Sequence, residues 1–217
     1  GLVDNVVIKK ETSGDYDEDM TQLLNTVEVE IGGQKIDKHY GEWLNIYNEL
    51  FENNHHYRNA LTQQATTPAG VTTDTPTEIY IPLRFWFNRN PGLALPLIAL
   101  QYHEVKILMN LKPTATTSIS DANLLVNYVY LDTDERRRFA QVSHEYLIEQ
   151  VQHTGIESIA SGDGAAKISL TYNHPVKALF WSGMKKTAYK AKLQLNGHDR
   201  FSEQNAMYFT GVQPYEC

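Results

Sequence analysis

The sequence predicts an all-β protein built as a sandwich or barrel, and three features carry that reading. Apolar residues alternate with polar ones in short runs, as at Val27-Val29-Ile31 and Val105-Ile107-Met109-Leu111, the period-two signature of half-buried strands. Turn-rich loops separate these runs, as in sandwiches and barrels. Two of the turns, Gly32-Gly33 and Asn196-Gly197, are two-residue hairpin signals, because type I′ and II′ turns need positive φ.

Taken in order, a first strand over about Val3 to Lys10 runs into the polar, acidic loop Glu11 to Asp19. Val27, Val29 and Ile31 then point inward and Glu28 and Glu30 outward, up to the Gly32-Gly33 turn. Trp43, Ile46, Tyr47, Leu50 and Phe51 recur at helical spacing and predict one amphipathic helix, anchored by Trp43, Ile46 and Tyr47 and ended by Asn53-Asn54. Residues Gln63 to Thr77 form a Thr-, Pro- and Ala-rich loop suited to surface variation.

The stretch Ile79 to Leu111 organises the rest. Ile79, Ile81, Leu83, Phe85 and Phe87 alternate and predict a strand, with Pro82 placing it near a sheet edge. The turn Asn88-Arg89-Asn90-Pro91-Gly92 and an apolar segment, Leu93 to Leu100, follow, and a second core strand closes the unit at Val105 to Leu111. Beyond the polar loop Lys112 to Asp121, Leu124 to Leu131 is apolar on both faces and reads as a buried strand. Asp132 with Glu135 fits a capping box, and acid before base over Asp132 to Arg138 complements a short helix dipole. Tyr146 to Gln152 reads as a further strand.

Gly155 to Ala166 is small and polar and marks a domain boundary, after which the pattern restarts at Ile168 and Leu170, at Val176 to Trp181 and at Tyr189 to Leu195. VEVEIGGQKI (Val27 to Ile36) aligns with AKLQLNGHDR (Ala191 to Arg200), matching Gly33 to Gly197, and each copy precedes an aromatic segment. A repeat on either side of a linker predicts two β units in tandem. The assigned extents are 1–152, a linker at 153–166, and 167–217.

Composition narrows the function. At 217 residues the chain can hold one β domain or one domain plus part of another. A net charge of −7 with no basic stripe argues against nucleic-acid binding, which rests on phosphate neutralisation. No apolar run reaches transmembrane length, so direct membrane insertion is not expected. Cys217 is the single cysteine, so no disulfide closes within the chain. The chain opens almost inside a strand and ends without a closing pattern, which reads as an internal fragment of a longer protein.

No catalytic, cofactor or metal constellation emerges. His103-Glu104 and His144-Glu145 lack the second His of a zinc protease helix. His55-His56 has no source of further ligands, and His39, His153, His174 and His198 are single surface or edge histidines. Ser161 to Lys167 lacks the phosphate-loop spacing, and Asp132, Asp134 and Glu135 are compensated by adjacent arginines rather than poised for calcium. A carbohydrate-binding β module, lectin-like with Tyr57, Trp86 or Trp181 stacking on sugars, or a cupin-like one, is one functional class to weigh. No H-x-H pair supports a cupin, and packing explains the aromatics more simply.

The run FWFNRNPGLALPLIALQYHEVKI resembles the major capsid proteins of large icosahedral DNA viruses, especially the phycodnaviruses of algae. VEVEIGGQKIDKHYGEW, YLDTDERRRFAQVSHEYLIEQVQ, NHPVKALFW and KLQLNGHDRF resemble the same family, in its order and across nearly the whole chain. The resemblance implies a double jelly roll, two eight-stranded barrels side by side, here one nearly complete and lacking its opening strand and one partial, with short helices in loops. It further implies a non-enzymatic shell protein whose partners are itself, as a homotrimer, neighbouring capsomers and minor capsid proteins. The implied location is the virion shell, assembled in the host cytoplasm.

Overall fold

A computed structural model describes residues 1–12, 24–51, 77–112, 119–158, 166–182 and 189–216. It is mostly sheet with a few short helices and divides into two compact units, Gly1–Ile156 and Glu157–Cys217.

The first unit holds two antiparallel sheets. In one, β1 (Leu2–Thr12) is central, with β4 (Thr77–Pro82) and the two-residue β5 (Leu95–Pro96) along one side and β7 (Ile119–Val129) along the other. In the other, β2 (Leu24–Ile31) lies between β3 (Gln34–Tyr40) and β6 (Val105–Leu111). Side chains of both sheets meet in one core. Val6 and Ile8 come from β1, Leu24, Val27 and Val29 from β2, and Ile81 from β4. Leu83, Phe85 and Phe87 follow β4, and all are buried in one cluster. Each such side chain contributes about 1.5–3 kcal/mol of apolar burial.

Strict alternation would not bury Val3 together with Val6, or Leu24 together with Val27. A register shift between Val3 and Asn5 against β7, and another between Leu24 and Thr26 against β6, restores the parity. Each central strand thus carries a bulge that re-aims one side chain into the core. Across the β2–β3 turn, Gly32 and Gly33 have φ of 59° and 82°, the pair of positive values that a type I′ turn demands.

Several elements differ from the sequence reading, each for a physical reason. The strand expected through Phe87 ends at Pro82, which has no donor to extend the ladder. The chain then turns through a short helix, α2 (Trp86–Arg89), and Phe85, Trp86 and Phe87 are all buried, so burial here follows no period of two. The Leu93 to Leu100 segment is a 3-10 turn, β5 and further turns, held by Leu97 N donating to Leu95 O and Ala99 N to Pro96 O. Among the described side chains of β7 only Leu124 and Val126 pack on the core; Leu125 and Tyr128 are 46% and 50% exposed, so this part of the strand is covered on one face.

The helix α1 (Gly41–Phe51) buries Gly41, Leu44 and Asn48, with Trp43 packed partly against the core, while Leu50 and Phe51 lie about half exposed. Its buried side is thus centred on Leu44, rotated from the predicted stripe. A third helix, α3 (Thr133–Gln141), starts where the acidic residues place it, but the Asp132 side chain makes no capping bond. Tyr146 to Gln152 is not paired as a strand; it lies beside β3 and is held there by side chains.

In the second unit, β9 (Gln194–Leu195) and β10 (His198–Asp199) form a hairpin, and β8 (Lys190–Ala191) pairs with β11 (Gln204–Asn205). The Asn196-Gly197 turn has φ of 50° and 83°, again type I′. A π-helical turn, Tyr208–Val212, and α4 (Gln213–Glu216) follow. Ile168, Leu170 and Val176 to Trp181 join no ladder among the described residues, and no described residue of this unit is buried. Phe201, Tyr208, Phe209 and Trp181 gather there in edge-on and tilted aromatic contacts.

Candidate assembly surfaces

The two sheets of the first unit present unlike outer faces. On the β3-β2-β6 sheet the outer face is a charge ladder. A bulge sets Val29 opposite Asp37 but Glu30 opposite Lys35, leaving Ile36 as the extra residue. That parity change lets Lys35 and Lys38, three apart, reach the same carboxylate, Glu28, at 2.6 and 2.9 Å. The hydrogen bond from Lys35, reinforced by Lys38, holds the Glu28 carboxyl below its ordinary range, and Glu28 in turn raises the Lys38 ammonium. Lys106 on β6 bonds Glu104 at 3.0 Å, which raises it too.

Where β1 and β7 pair, the outer face of the other sheet carries half-exposed apolar side chains such as Leu125. Asn5, Val7, Leu125, Val126 and Asn127 line a shallow concavity of about 200 Å³. Asn127 donates to Asp4 Oδ1 at 2.8 Å on its flank. Among the described residues β7 pairs only with β1, and β6 only with β2, so each leaves one edge open. A half-exposed apolar sheet face beside an open strand edge is the kind of surface that another strand or subunit covers.

Between the sheets lies a feature the sequence reading missed. His39, taken there as a surface or edge histidine, is fully buried. Its ring stacks on Phe85 at 4.2 Å, and its Nε2 lies 3.0 Å from Asp37 Oδ2. Asp37 and His39 reach the inward parity of β3 because Ile36 is bulged, which the sequence does not announce. A period reading that weighs only apolar residues passes over them. A second polar cluster ties α1 to its neighbours, with Arg84 Nη2 donating to Asn48 Oδ1 at 3.2 Å and the Arg84 guanidinium over the Tyr47 ring at 5.3 Å. Arg89 pairs with Glu149 at 2.8 Å.

The predicted site residues occupy structural places. Gly32, Gly33, Asn196 and Gly197 form the two hairpin turns. Trp43 and Tyr47 stack edge-on at 5.9 Å along α1, with Ile46 partly buried between them in sequence. No group of three His, Cys, Asp or Glu side chains suited to a metal occurs among the described residues. His103 and Glu104 are exposed, His144 Nε2 lies 2.8 Å from Phe139 O, and Asp134 pairs with Arg137 at 3.6 Å. Trp86 is buried and Trp181 packs on Phe209, while His55, His56 and Tyr57 lie outside the described residues, as do most of the Gln63 to Thr77 loop and the Ser161 to Ala165 run. No described helix is long and apolar enough to cross a membrane.

Comparison with known proteins gives these surfaces a context. Residues 3–132 match the family described as "Major capsid protein N-terminus", and residues 135–192 match "Large eukaryotic DNA virus major capsid protein". The chain is 53% identical over 216 residues to the major capsid protein of Pyramimonas orientalis virus, covering 90% of this chain and 53% of that one. It is 37% identical to the major capsid protein of Paramecium bursaria Chlorella virus 1, covering 90% and 57%. The chain thus spans about half the length of these curated relatives. In structure it matches a chain of a quasi-atomic model of the PBCV-1 virus capsid with a TM-score of 0.79 at 33% identity, over 99% of this chain and 67% of that one.

Proposed function

The chain belongs to the major capsid protein family of large eukaryotic DNA viruses, a family of structural proteins rather than enzymes, and we propose that it is part of the subunit that builds an icosahedral virion shell. In this reading the intact protein folds as two jelly rolls in tandem, three copies form a pseudo-hexagonal capsomer, and capsomers tile the shell. Its partners are other copies of itself, neighbouring capsomers and minor capsid proteins, and assembly takes place in the host cytoplasm.

The observation that carries the reading is the match to a capsid chain over 99% of this chain. Two features support it from within. A jelly roll has eight strands in two sheets, and among the described residues β6 and β7 each leave an edge open to a further strand. The type I′ hairpin recurs in both units with nearly the same φ values, which supports two copies of one architecture. No catalytic residue is needed, because a closed symmetric oligomer sets identical patches in register by shape and charge alone.

Sedimentation velocity of the intact protein tests the trimer. One species of three times the chain mass, unchanged on dilution, is expected. A monodisperse monomer would contradict the proposal.

A further inference from the structure

Among the described residues β3 pairs with β2 along one side only. Beside its other side runs residues 144–153, extended yet joined to β3 by no ladder. Its contacts are made by side chains. Val151 N donates to Asp37 Oδ1 at 3.0 Å, and Gln150 Nε2 donates to Ile36 O. Ile148 packs on the core, Glu149 pairs with Arg89, and His153 meets the Tyr40 ring at 4.6 Å.

Asp37 is the centre of this arrangement. It is 4% exposed, and Oδ1 also accepts from Lys38 N at 2.8 Å while Oδ2 faces His39. A buried carboxylate is tolerated only while donors surround it, so Asp37 requires the Val151 N–H as much as the segment requires Asp37. We propose that residues 144–153 are a strap, latched by Asp37, that seals the β3 edge against a second copy of this chain.

Three means by which proteins protect sheet edges coincide here: a bulge at Ile36, an inward-pointing charge at Asp37 and a covering segment. The other common barrier, free outward lysines, is weak, because Lys35 and Lys38 are both engaged by Glu28. With the strap lifted, two identical β3 edges meet about a two-fold axis, the simplest addition open to identical chains. Asp37 is therefore a positioning residue, acting through the strap.

The test uses the intact protein and two readouts, amide hydrogen exchange and sedimentation velocity. Val151→Pro removes the latch donor and leaves β3 untouched. Exchange of the Lys38 amide, which shares Asp37 Oδ1 with Val151 and lies beneath the strap, should rise about tenfold, the scale set by a hydrogen bond to a charged acceptor, with β2 amides unchanged. A concentration-dependent species larger than the native oligomer should appear. Asp37→Ala should do the same, and Asp37→Asn, which keeps the Oδ1 acceptor, should restore native exchange. Should Asp37→Ala fail to fold, Val151→Pro decides. Unchanged exchange in Val151→Pro, a lifted strap without the larger species, or equal behaviour of the Asn and Ala variants would each overturn the proposal.

Discussion

The two hairpins of this chain turn their corners in nearly the same way and live in different surroundings. Gly32-Gly33 and Asn196-Gly197 share a pair of positive φ angles within about 10° of each other. Each hairpin also holds an acid under two donors. Glu28 lies beneath Lys35 and Lys38; Asp199 accepts from Gln194 at 2.6 Å and Lys192 at 3.0 Å. Yet β2 is flanked on both sides, with Val27 and Val29 fully buried, whereas β9 and β10 are two-residue ladders whose described residues are all exposed. Turn geometry is fixed by the local residues and forms in either place. Burial requires partner layers, which the first unit supplies from within itself and the described residues of the second do not.

The sharpest way to break this contrast is to cut into each unit's aromatic cluster. Phe85 is fully buried between His39 and Phe87, so Phe85→Ala should cost about 3–5 kcal/mol in the first unit, read from exchange of its core amides. Trp181 is 45% exposed, and Trp181→Ala should cost less than about 1.5 kcal/mol in the second. Equal losses would mean that the second unit has a core of its own. Trp43→Ala belongs between them, at about 2 kcal/mol, because Trp43 packs on the core only in part.

The turns should show the opposite, equality. An added Cβ meets nothing within 4 Å at Gly33 or at Gly197, and their φ values are 82° and 83°. Gly33→Ala and Gly197→Ala should therefore each cost about 1–2 kcal/mol of local opening free energy, read from exchange of the amides flanking each turn. A cost at Gly33 several times that at Gly197 would show that turn strain is set by the surrounding sheet.

The smallest effect lies in the charges. Glu28 titrates below its ordinary range, so its stabilisation is complete above about pH 4.3 and fades as pH falls through the lowered value. Glu28→Gln should remove that acid-side slope and cost about 0.5–1 kcal/mol near neutrality. Asp199 is also held low, first by Gln194 and then by Lys192. Its side chain is 46% exposed against 14% for Glu28, so salt should weaken the effect of Asp199→Asn more than that of Glu28→Gln. NMR titration of both carboxyls at low and high salt reads the difference.

Much of this was legible in the sequence, and the failures have a common cause. Alternation located β1, β2 and β6, dipeptide chemistry located both turns, and amphipathic spacing located α1, because each depends on neighbours in the chain. Three readings went astray where a side chain's environment is set from afar. Phe85 and Phe87 alternate like a strand but sit on a turn packed between layers. β7 is apolar on both faces, yet hydrophobicity alone does not say which face packs on the core. Tyr146 to Gln152 alternates because Ile148 packs inward, while Gln150 reaches β3 by its side chain and Val151 by its backbone N–H. The Asp37–His39 pair escaped because its parity depends on the bulge at Ile36, which single residues do not announce.

The claim that matters most is that these two β units belong to one tile of a virion shell. Electron microscopy of the purified intact protein tests it most directly. Class averages should show a three-fold particle with six similar densities in a hexagonal outline, two from each copy. Isolated single copies, or two-fold dimers without that outline, would contradict the account.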